Sequence, residues 1–527
     1  VRTTPRPARA PHASARDIAE VAGGQLAFVD GPAGPAGPDA AEAADADVTL
    51  SGVTLDSRLV VPGDLYAALP GSNAHGASFG TGAAAAGAAA VLTDPAGADL
   101  LRAAGVRLPR IVVPDPRGVL GAVSAALYGR PADDMVLVGI TGTNGKTTTA
   151  YILEAALRAL GRRTGLIGTI EIRIADEAIP AVRTTPESCD LHGLFAAMRE
   201  RDVTACVMEV SSHALALHRV DGVRYDVAVF TNMSQDHLDF HGTMADYYAA
   251  KASLFTPQRA VRGVVCVDDA WGARLAQEAT IPVTTLATRS GADADWTLST
   301  PDSGGVGGEF DLVEAATGRR LRLRAALPGD YNRANTAMAA LVLLARDVPA
   351  DDVERAVAAG ATVPGRMERV DLGADAPTVY VDFAHTPEAI RATLAALRPT
   401  VGGGRLIAVV GAGGNRDRGK RPLMGEAAAR GADVVVVTDD NPRDEDPASI
   451  RADIASGARA AGGADAQVFD VDRRAEGIAT ALRAAAPGDV VAVLGRGHET
   501  RQEVMGSYRP FDDRQAVRTA WAEVRGS

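Results

Sequence analysis

The segment Gly139-Ile-Thr-Gly-Thr-Asn-Gly-Lys-Thr-Thr148 sets three glycines and a Lys-Thr pair between an apolar run and an amphipathic one. Backbone N–H groups of such a turn, with the helix N-terminus behind them, can cradle phosphates. Lys146 can then reach the β- and γ-phosphates, and the Thr147 hydroxyl can bind Mg2+. The strict G-x4-G-K-T pattern is not met, because Ile140 holds the position of its first Gly. A tight strand-to-helix turn would explain the glycines but not Lys-Thr in this register. Gly142, Thr143, Asn144, Gly145, Lys146, Thr147 and Thr148 are the expected phosphate contacts.

Two further segments, Met208-Glu-Val-Ser-Ser-His213 and Asn232-Met-Ser-Gln-Asp-His-Leu-Asp-Phe-His-Gly242, each follow an apolar run directly. In open α/β sheets the ligand lies beyond the carboxyl ends of the strands. Glu209, His213 and His237 are thereby placed near the phosphate loop, where a hard cation needs oxygen or imidazole ligands. Taken singly, each reads equally well as a capping or solvated residue. Lys251 stands 14 residues past His237 on a predicted helix and reads as an ordinary surface lysine.

The last third carries three polar loops at predicted strand ends: Gly411–Pro422, Thr438–Arg443 and Gly495–Glu499. Gly411 and Gly413 fit the opening of G-x-G-x-x-G, but Arg416 fills the place of its third Gly, which argues against a dinucleotide fingerprint. Arg416, Arg418, Lys420, Arg421, Arg443 and Arg496 could supply a local positive field, and guanidinium groups match carboxylates and phosphates bidentately. Surface charge is the plain alternative.

These loops need a scaffold. A chain of 527 residues suggests three or four domains at roughly 150 residues each. Hydrophobic residues at 46% and charged residues at 23% suit a globular protein. A net charge of −12 disfavours a general nucleic-acid binder. Cys189, Cys206 and Cys266 form no C-x-x-C pair, so neither a zinc site nor a disulfide framework is expected, and a reducing cytoplasm is. No apolar run approaches the roughly 20 residues that span a bilayer. The basic, proline-rich first ten residues carry no secretory pattern.

Residues 1–15 read as a disordered arm and Gly31–Asp39 as a low-complexity loop. A small α/β segment follows, and its character changes at Arg130-Pro131. The middle third has strand-like runs at Ala205–Val210, Val227–Thr231 and Val264–Val267, a β-rich stretch over Thr297–Leu327 and a helix from about Asn332 to Ala345. Gly360–Gly365 reads as a linker. After it, Thr378–Phe383, Arg405–Val410, Asp433–Val437 and Asp489–Leu494 are predicted strands separated by helix-length segments. The expected fold is α/β with mostly parallel sheets, helices on both faces and domains over 1–133, 134–363 and 364–527.

The motifs Gly-Thr-Asn-Gly-Lys-Thr, Glu-Val-Ser-Ser-His, Asn-Met-Ser-Gln-Asp-His-Leu-Asp, Gly-Arg-Met-Glu, Asp-Phe-Ala-His-Thr-Pro and Asp-Asn-Pro-Arg occur in this order. Together they resemble the Mur ligases of peptidoglycan synthesis from about residue 50 onward. The resemblance implies an N-terminal UDP-sugar binder, a central P-loop ATPase and a C-terminal Rossmann-like amino-acid domain. It implies ATP and Mg2+ as cofactors, a cytoplasmic monomer, and no nucleic-acid or membrane partner. It further implies addition of meso-diaminopimelate to the D-Glu γ-carboxylate of UDP-N-acetylmuramoyl-L-Ala-D-Glu.

Residue by residue, the resemblance assigns the UDP-substrate to Leu55, Ser57, Ser72, Asn73, Ala74, Thr184, Thr185, Ser211 and Arg219. Leu217 departs from the Gln that some relatives carry. Lys146, Lys251, His237 and Glu209 become the catalytic set, with Thr147, Glu209, His237 and Lys251 (as its carbamate) on the metal. Asn335, Arg366 and Asp382 join the phosphate loop for the nucleotide's base and ribose. Arg416, Asp440, Asn441, Pro442, Arg443, Gly495 and Glu499 become the diaminopimelate site. A lysine-adding ligase is the nearest rival, and Arg443 speaks against it. The Asp-Asn-Pro-Arg loop speaks against a folylpolyglutamate-type ligase, and a basic amino-acid pocket is foreign to an ATP-driven switch.

Overall fold

The computed structural model describes residues 4–27, 48–288, 293–299, 308–373, 375–461 and 465–526. The loop expected at Gly31–Asp39 lies outside the described residues. Two compact units emerge: Val1–Lys146 with Leu157–Thr285, and Thr147–Ala156 with Leu286–Ser527.

The first unit carries two large groups of strands. In one, Gln25–Ala27, Arg110–Val112, Ala90–Thr93, Asp64–Ala68 and Gly52–Thr54 lie side by side in that order, parallel except for the first. Its core joins Leu65, Ala67 and Leu92 to Ile18, Leu120 and Val123 of the helices Ala15–Val21 and Pro116–Leu127. In the other sheet, Thr164–Ile167, Ala205–Glu209, Val136–Thr141, Tyr225–Phe230 and Ala260–Cys266 follow one another in parallel. A hairpin of Glu171–Ile174 and Glu177–Pro180 adds an antiparallel edge to it. Parallel strands covered on both faces read as continuous apolar runs, which is why four of these were recognisable; Thr164–Ile167, short and opened by Thr-Gly, was not predicted. The hairpin was missed because charged residues interrupt it.

In the second unit, Trp296–Ser299, Glu309–Glu314 and Arg320–Arg324 form an antiparallel run, where β-rich structure was expected. The six-stranded sheet beyond it runs Glu368–Val370, Thr378–Asp382, Val490–Leu494, Leu406–Val410, Val434–Val437, Gln467–Asp470, with only its first strand antiparallel. Strand side chains alternate between faces. Accordingly Ala408, Val410, Val435 and Val437 pack with Ile390, Met424 and Ile454 on one side, while Ile407, Val409, Val434 and Val436 meet Ile478, Leu482 and Val517 on the other. Helices therefore cover both faces, as expected.

One expectation fails at the start of the chain. Residues 4–14 are not free of the fold. Arg6 pairs with the fully buried Asp64 through two bonds of 2.7 and 2.9 Å, and Ala13–Ser14 pairs with Thr49–Leu50. The composition of the arm is that of a disordered segment, but a single buried counter-charge outweighs it.

Candidate active site

The strand Val136–Thr141 ends where the helix Lys146–Ala159 begins, and the turn between them needs glycine. Gly142 has φ +143°, and a Cβ there would lie 1.9 Å from Thr231 Oγ1. Gly145 has φ +90°. Side chains beyond glycine rarely adopt such backbone angles. The turn is held from the neighbouring strand's end: Thr231 Oγ1 donates to the Asn144 carbonyl at 2.6 Å, and the Asn232 side chain both accepts from the Asn144 N–H and donates to its carbonyl at 3.0 Å.

Lys146 Nζ donates to the carbonyls of Gly142 and Thr143, each at 2.9 Å. Lys251, on the helix Met244–Ala252, donates to the same Gly142 carbonyl at 2.8 Å and lies over the Tyr247 ring. Its surface reading is overturned, since the side chain is 1% exposed. Tyr247, one turn earlier on the same helix face, is buried with it; that i, i+4 pairing was the available signal. Burial first, then the Lys146 charge, holds the Lys251 amine well below the usual lysine range, with Asp236 opposing. The turn thus brings two amines onto one carbonyl.

His237 sits at φ +53° before the short helix Leu238–His241, its ring 4.8 Å from that of His213. Burial lowers its pKa to about 4 against the pull of Asp236, and the charges of His213, Lys146 and Lys251 push the same way. This direction favours the neutral imidazole, which has a lone pair to offer. Glu209, at the end of its strand, accepts from the Thr169 N–H at 2.8 Å and the Thr169 hydroxyl at 3.0 Å. Among the described residues no three His, Cys, Asp or Glu side chains gather into a metal site. The oxygen donors of Glu209 and the imidazole of His237 are nevertheless of the kind that suits a hard cation.

Thr169 links Glu209 onward to Thr184 through a 3.0 Å hydroxyl contact, and sequence reasoning missed it. The Thr185 hydroxyl donates to the Glu209 carbonyl at 2.9 Å and meets Ser211 Oγ at 3.3 Å. Glu187 gathers Arg117, Arg183 and Arg219, at 3.3, 2.6 and 3.0 Å. The Leu217 carbonyl accepts from Arg117 at 3.3 Å, so this residue contributes its backbone to the same cluster. Beside it opens a cavity of about 670 Å3, lined by Leu55, Ser57, Tyr66, Ala74, Arg183 and Glu187 among others. Ser72 and Asn73 lie in the exposed turn next to Ala74 and outside that lining. Thr184, Thr185, Ser211 and Arg219 are also outside it, the first three in the hydrogen-bonded group around Thr169 and Glu209 and Arg219 in the cluster around Glu187.

In the second unit, Arg366 stacks on Phe383 at 4.6 Å and approaches the buried Thr147 hydroxyl at 3.5 Å. Thr148 beside it is likewise buried. Asp382 accepts the N–H groups of Met367 and Ala384 at 2.7 and 2.9 Å, and burial raises its pKa. Asn335 accepts from the Thr149 hydroxyl at 3.2 Å.

The three polar loops do meet. Asn441 donates to Glu499 at 2.8 Å and accepts from Arg496 at 2.7 Å and from the Glu503 N–H at 2.9 Å. Asp440 Oδ1 accepts from the Asn441 N–H at 2.6 Å, and Pro442 follows in the same buried turn. Gly495, at φ +114°, passes close to Asp440, where a Cβ would fall 2.8 Å from its carboxylate. Burial and the neighbouring Asp440 raise the Glu499 pKa. Arg443 is held at φ +51°, its guanidinium donating to the Gly414 carbonyl at 2.7 Å and pairing with Glu503 at 3.2 Å. Arg416 is exposed on the facing loop.

The broad positive field expected here is smaller than its residue list. Arg421 is 1% exposed and paired with Glu445 and Asp453, and Arg496 is fully buried. Guanidinium groups inside a fold are consumed by internal carboxylates and carbonyls, which sequence cannot distinguish from exposed ones. The hairpin Arg501–Val504 and Ser507–Pro510, which supplies Glu503, was also missed.

Comparison with known proteins adds a second line of evidence. Residues 140–343 match the model of the Mur ligase middle domain, residues 365–497 the Mur ligase glutamate ligase domain, and residues 49–128 the Mur ligase family catalytic domain. The chain is 49% identical over 527 residues, 99% of its own length and 100% of the other's, to the UDP-N-acetylmuramoyl-L-alanyl-D-glutamate--2,6-diaminopimelate ligase of Streptomyces avermitilis. It is 47% identical to the UDP-N-acetylmuramyl-tripeptide synthetase of Leifsonia xyli, over 90% of this chain and 92% of that one. A solved UDP-N-acetylmuramoyl-L-alanyl-D-glutamate--2,6-diaminopimelate ligase superposes with a TM-score of 0.63 at 30% identity, covering 91% of this chain and 96% of the other. The folylpolyglutamate synthase of Mycobacterium tuberculosis, at 22% identity, TM-score 0.55 and coverage of 76% and 93%, shares the fold. The match runs through all three family regions, and the chain belongs to the Mur ligase family.

Proposed function

We propose that this protein is an ATP-dependent ligase joining meso-diaminopimelate to the D-Glu γ-carboxylate of UDP-N-acetylmuramoyl-L-Ala-D-Glu. The observation that carries the reading is the convergence of Lys146 and Lys251 on the Gly142 carbonyl, at a glycine turn built for phosphates. The near-half identity to a chain named for this reaction supports it.

A carboxylate cannot be attacked by an amine without a leaving group. The γ-carboxylate therefore takes the γ-phosphoryl of ATP, releasing ADP, and the amine of diaminopimelate then displaces phosphate from the acyl phosphate. The protein's share of this is positioning and charge neutralisation. The turn Gly142–Lys146 holds the phosphates, and Lys146 leaves its two carbonyls to meet the transferring group. Bound Mg2+ would supply charge neutralisation for the transferring phosphoryl group; Glu209, His237, carbamylated Lys251 and Thr147 are the residues that would hold it. Thr184, Thr185, Ser211 and Arg219 take the muramoyl-dipeptide, and the 670 Å3 cavity lined by Leu55, Ser57 and Ala74 takes the uridine end, with Ser72 and Asn73 on the exposed turn beside it. In the second unit, Asn335, Arg366 and Asp382 are assigned to the base and ribose. Arg416, Asp440 to Arg443, Gly495 and Glu499 are assigned to the amino acid. The three-domain division at 133 and 363 belongs to the same reading.

Lys146→Ala tests it. Ligation should fall by about 100-fold or more, the scale of losing one preorganised charge donor, while the UDP-substrate binds within a few-fold of wild type by calorimetry. Turnover at the wild-type rate would remove the phosphate-loop assignment.

A further inference from the structure

The arm at residues 4–11 crosses the first unit where the 670 Å3 cavity opens, and Thr4 and Pro5 are part of its lining. The next residue, Arg6, does two things at once. Its guanidinium grips both oxygens of Asp64, at 2.7 and 2.9 Å, and donates to the Leu59 carbonyl at 3.2 Å. Asp64 opens the strand Asp64–Ala68 and shares its face with Tyr66, which lines the cavity. Leu59 ends the short helix Ser57–Leu59, which also lines the cavity. Gly52 clears the seat, since a Cβ there would fall 2.4 Å from Asp64 and 3.1 Å from the Arg6 guanidinium.

A second clamp follows. The N–H groups of Ala8 and Arg9 donate to the two carboxylate oxygens of Glu200, at 2.6 and 2.7 Å. A segment clamped at Arg6 and again at Ala8 and Arg9, with Thr4 and Pro5 in a cavity wall, is placed for more than tethering. We infer that residues 4–9 form a strap that completes the uridine-nucleotide cavity, with Arg6 a positioning residue for the turn that carries Ser57. The inference rests on the reading of that cavity as the UDP-substrate site.

Two variants separate the strap's roles. Thr4→Gly with Pro5→Gly removes the wall and keeps both clamps; Arg6→Ala removes the clamp. Each should raise KM for the UDP-muramoyl-dipeptide about tenfold, the loss of roughly one decade of uniform binding, with kcat within about twofold. KM for ATP and diaminopimelate should stay as in wild type, and the wall variant should keep the wild-type melting temperature. Arg6→Lys should restore only part of the loss, because one ammonium cannot grip two oxygens and a carbonyl in the same plane. If KM for the UDP-substrate is unchanged in both variants while the wild type binds it, the strap idea is wrong and the cavity reading stands. A wild type that does not bind the UDP-substrate overturns both.

Discussion

At the residue scale, the decisive group is Lys251. Among the described residues its ammonium forms no ion pair with a carboxylate; it faces a carbonyl, an aromatic ring and the charge of Lys146, with Asp236 acting on it only through its field. A cation kept there costs desolvation, and a carbamate would turn the same side chain into an anion on the phosphate side of the turn. A guanidinium keeps the cation and cannot take up CO2. Lys251→Arg should therefore ligate at under about 1% of the wild-type rate, the order of loss seen when one catalytic electrostatic group is removed. Wild-type protein stripped of bicarbonate should lose activity and regain it on adding CO2, whereas the arginine variant should not respond. Equal rates for wild type and variant would return Lys251 to a structural lysine. In the sequence the spacing of Lys251 from Tyr247 hints at a shared buried face, but its role comes only from the family resemblance, because its partner is the turn at Gly142, more than a hundred positions away.

At the element scale, the fold was legible where strands are continuous apolar runs and illegible where they are not. Val434–Val437 announces itself as four valines in a row. Glu171–Ile174 alternates charge with aliphatic groups, Glu177–Pro180 is a mostly exposed strand ending in proline, and Gln467–Asp470 is an edge strand with mostly exposed side chains. The hairpin Arg501–Val504 with Ser507–Pro510 has the same character, yet it holds Arg443 through Glu503 and a backbone pair with Val504. The phosphate turn is the opposite case, since its glycines are demanded by geometry and visible in sequence. Gly142→Ala would place a methyl at 1.9 Å from Thr231 Oγ1 in a backbone region that L-residues avoid. The turn should open, raising the Kd for ATP by about 30-fold or more, as strain of about 2 kcal/mol would. The Kd for the UDP-substrate should stay within a few-fold. Nucleotide affinity like that of wild type would show that the turn does not set the phosphate site.

At the scale of the whole molecule, a net charge of −12 has to coexist with anionic ligands, and the chain manages this by concentrating cations in loops. Which of those cations are available could not be read from composition. Arg421 and Arg496 serve the interior, and so does Arg474, fully buried against an equally buried Asp513. The arm at residues 4–11 was misread for a related reason: proline and alanine content describes a segment's own preference and says nothing of a buried Asp64 waiting in another part of the chain. Arg443 remains with its guanidinium only about one-fifth exposed, held in place by Gly414 and Glu503. Meso-diaminopimelate differs from lysine by a second carboxylate at its far end, so an anion-recognising group must make the choice. Truncating one partner of a desolvated charge pair costs about 2–5 kcal/mol.

The most direct test is kcat/KM for meso-diaminopimelate and for L-lysine, measured with the UDP-muramoyl-dipeptide and ATP, in wild type and Arg443→Ala. Wild type should strongly prefer diaminopimelate, and the variant should lose about 30-fold to several-thousand-fold on diaminopimelate and gain little on lysine. A wild type that prefers lysine, or a variant that uses diaminopimelate undiminished, would contradict the account.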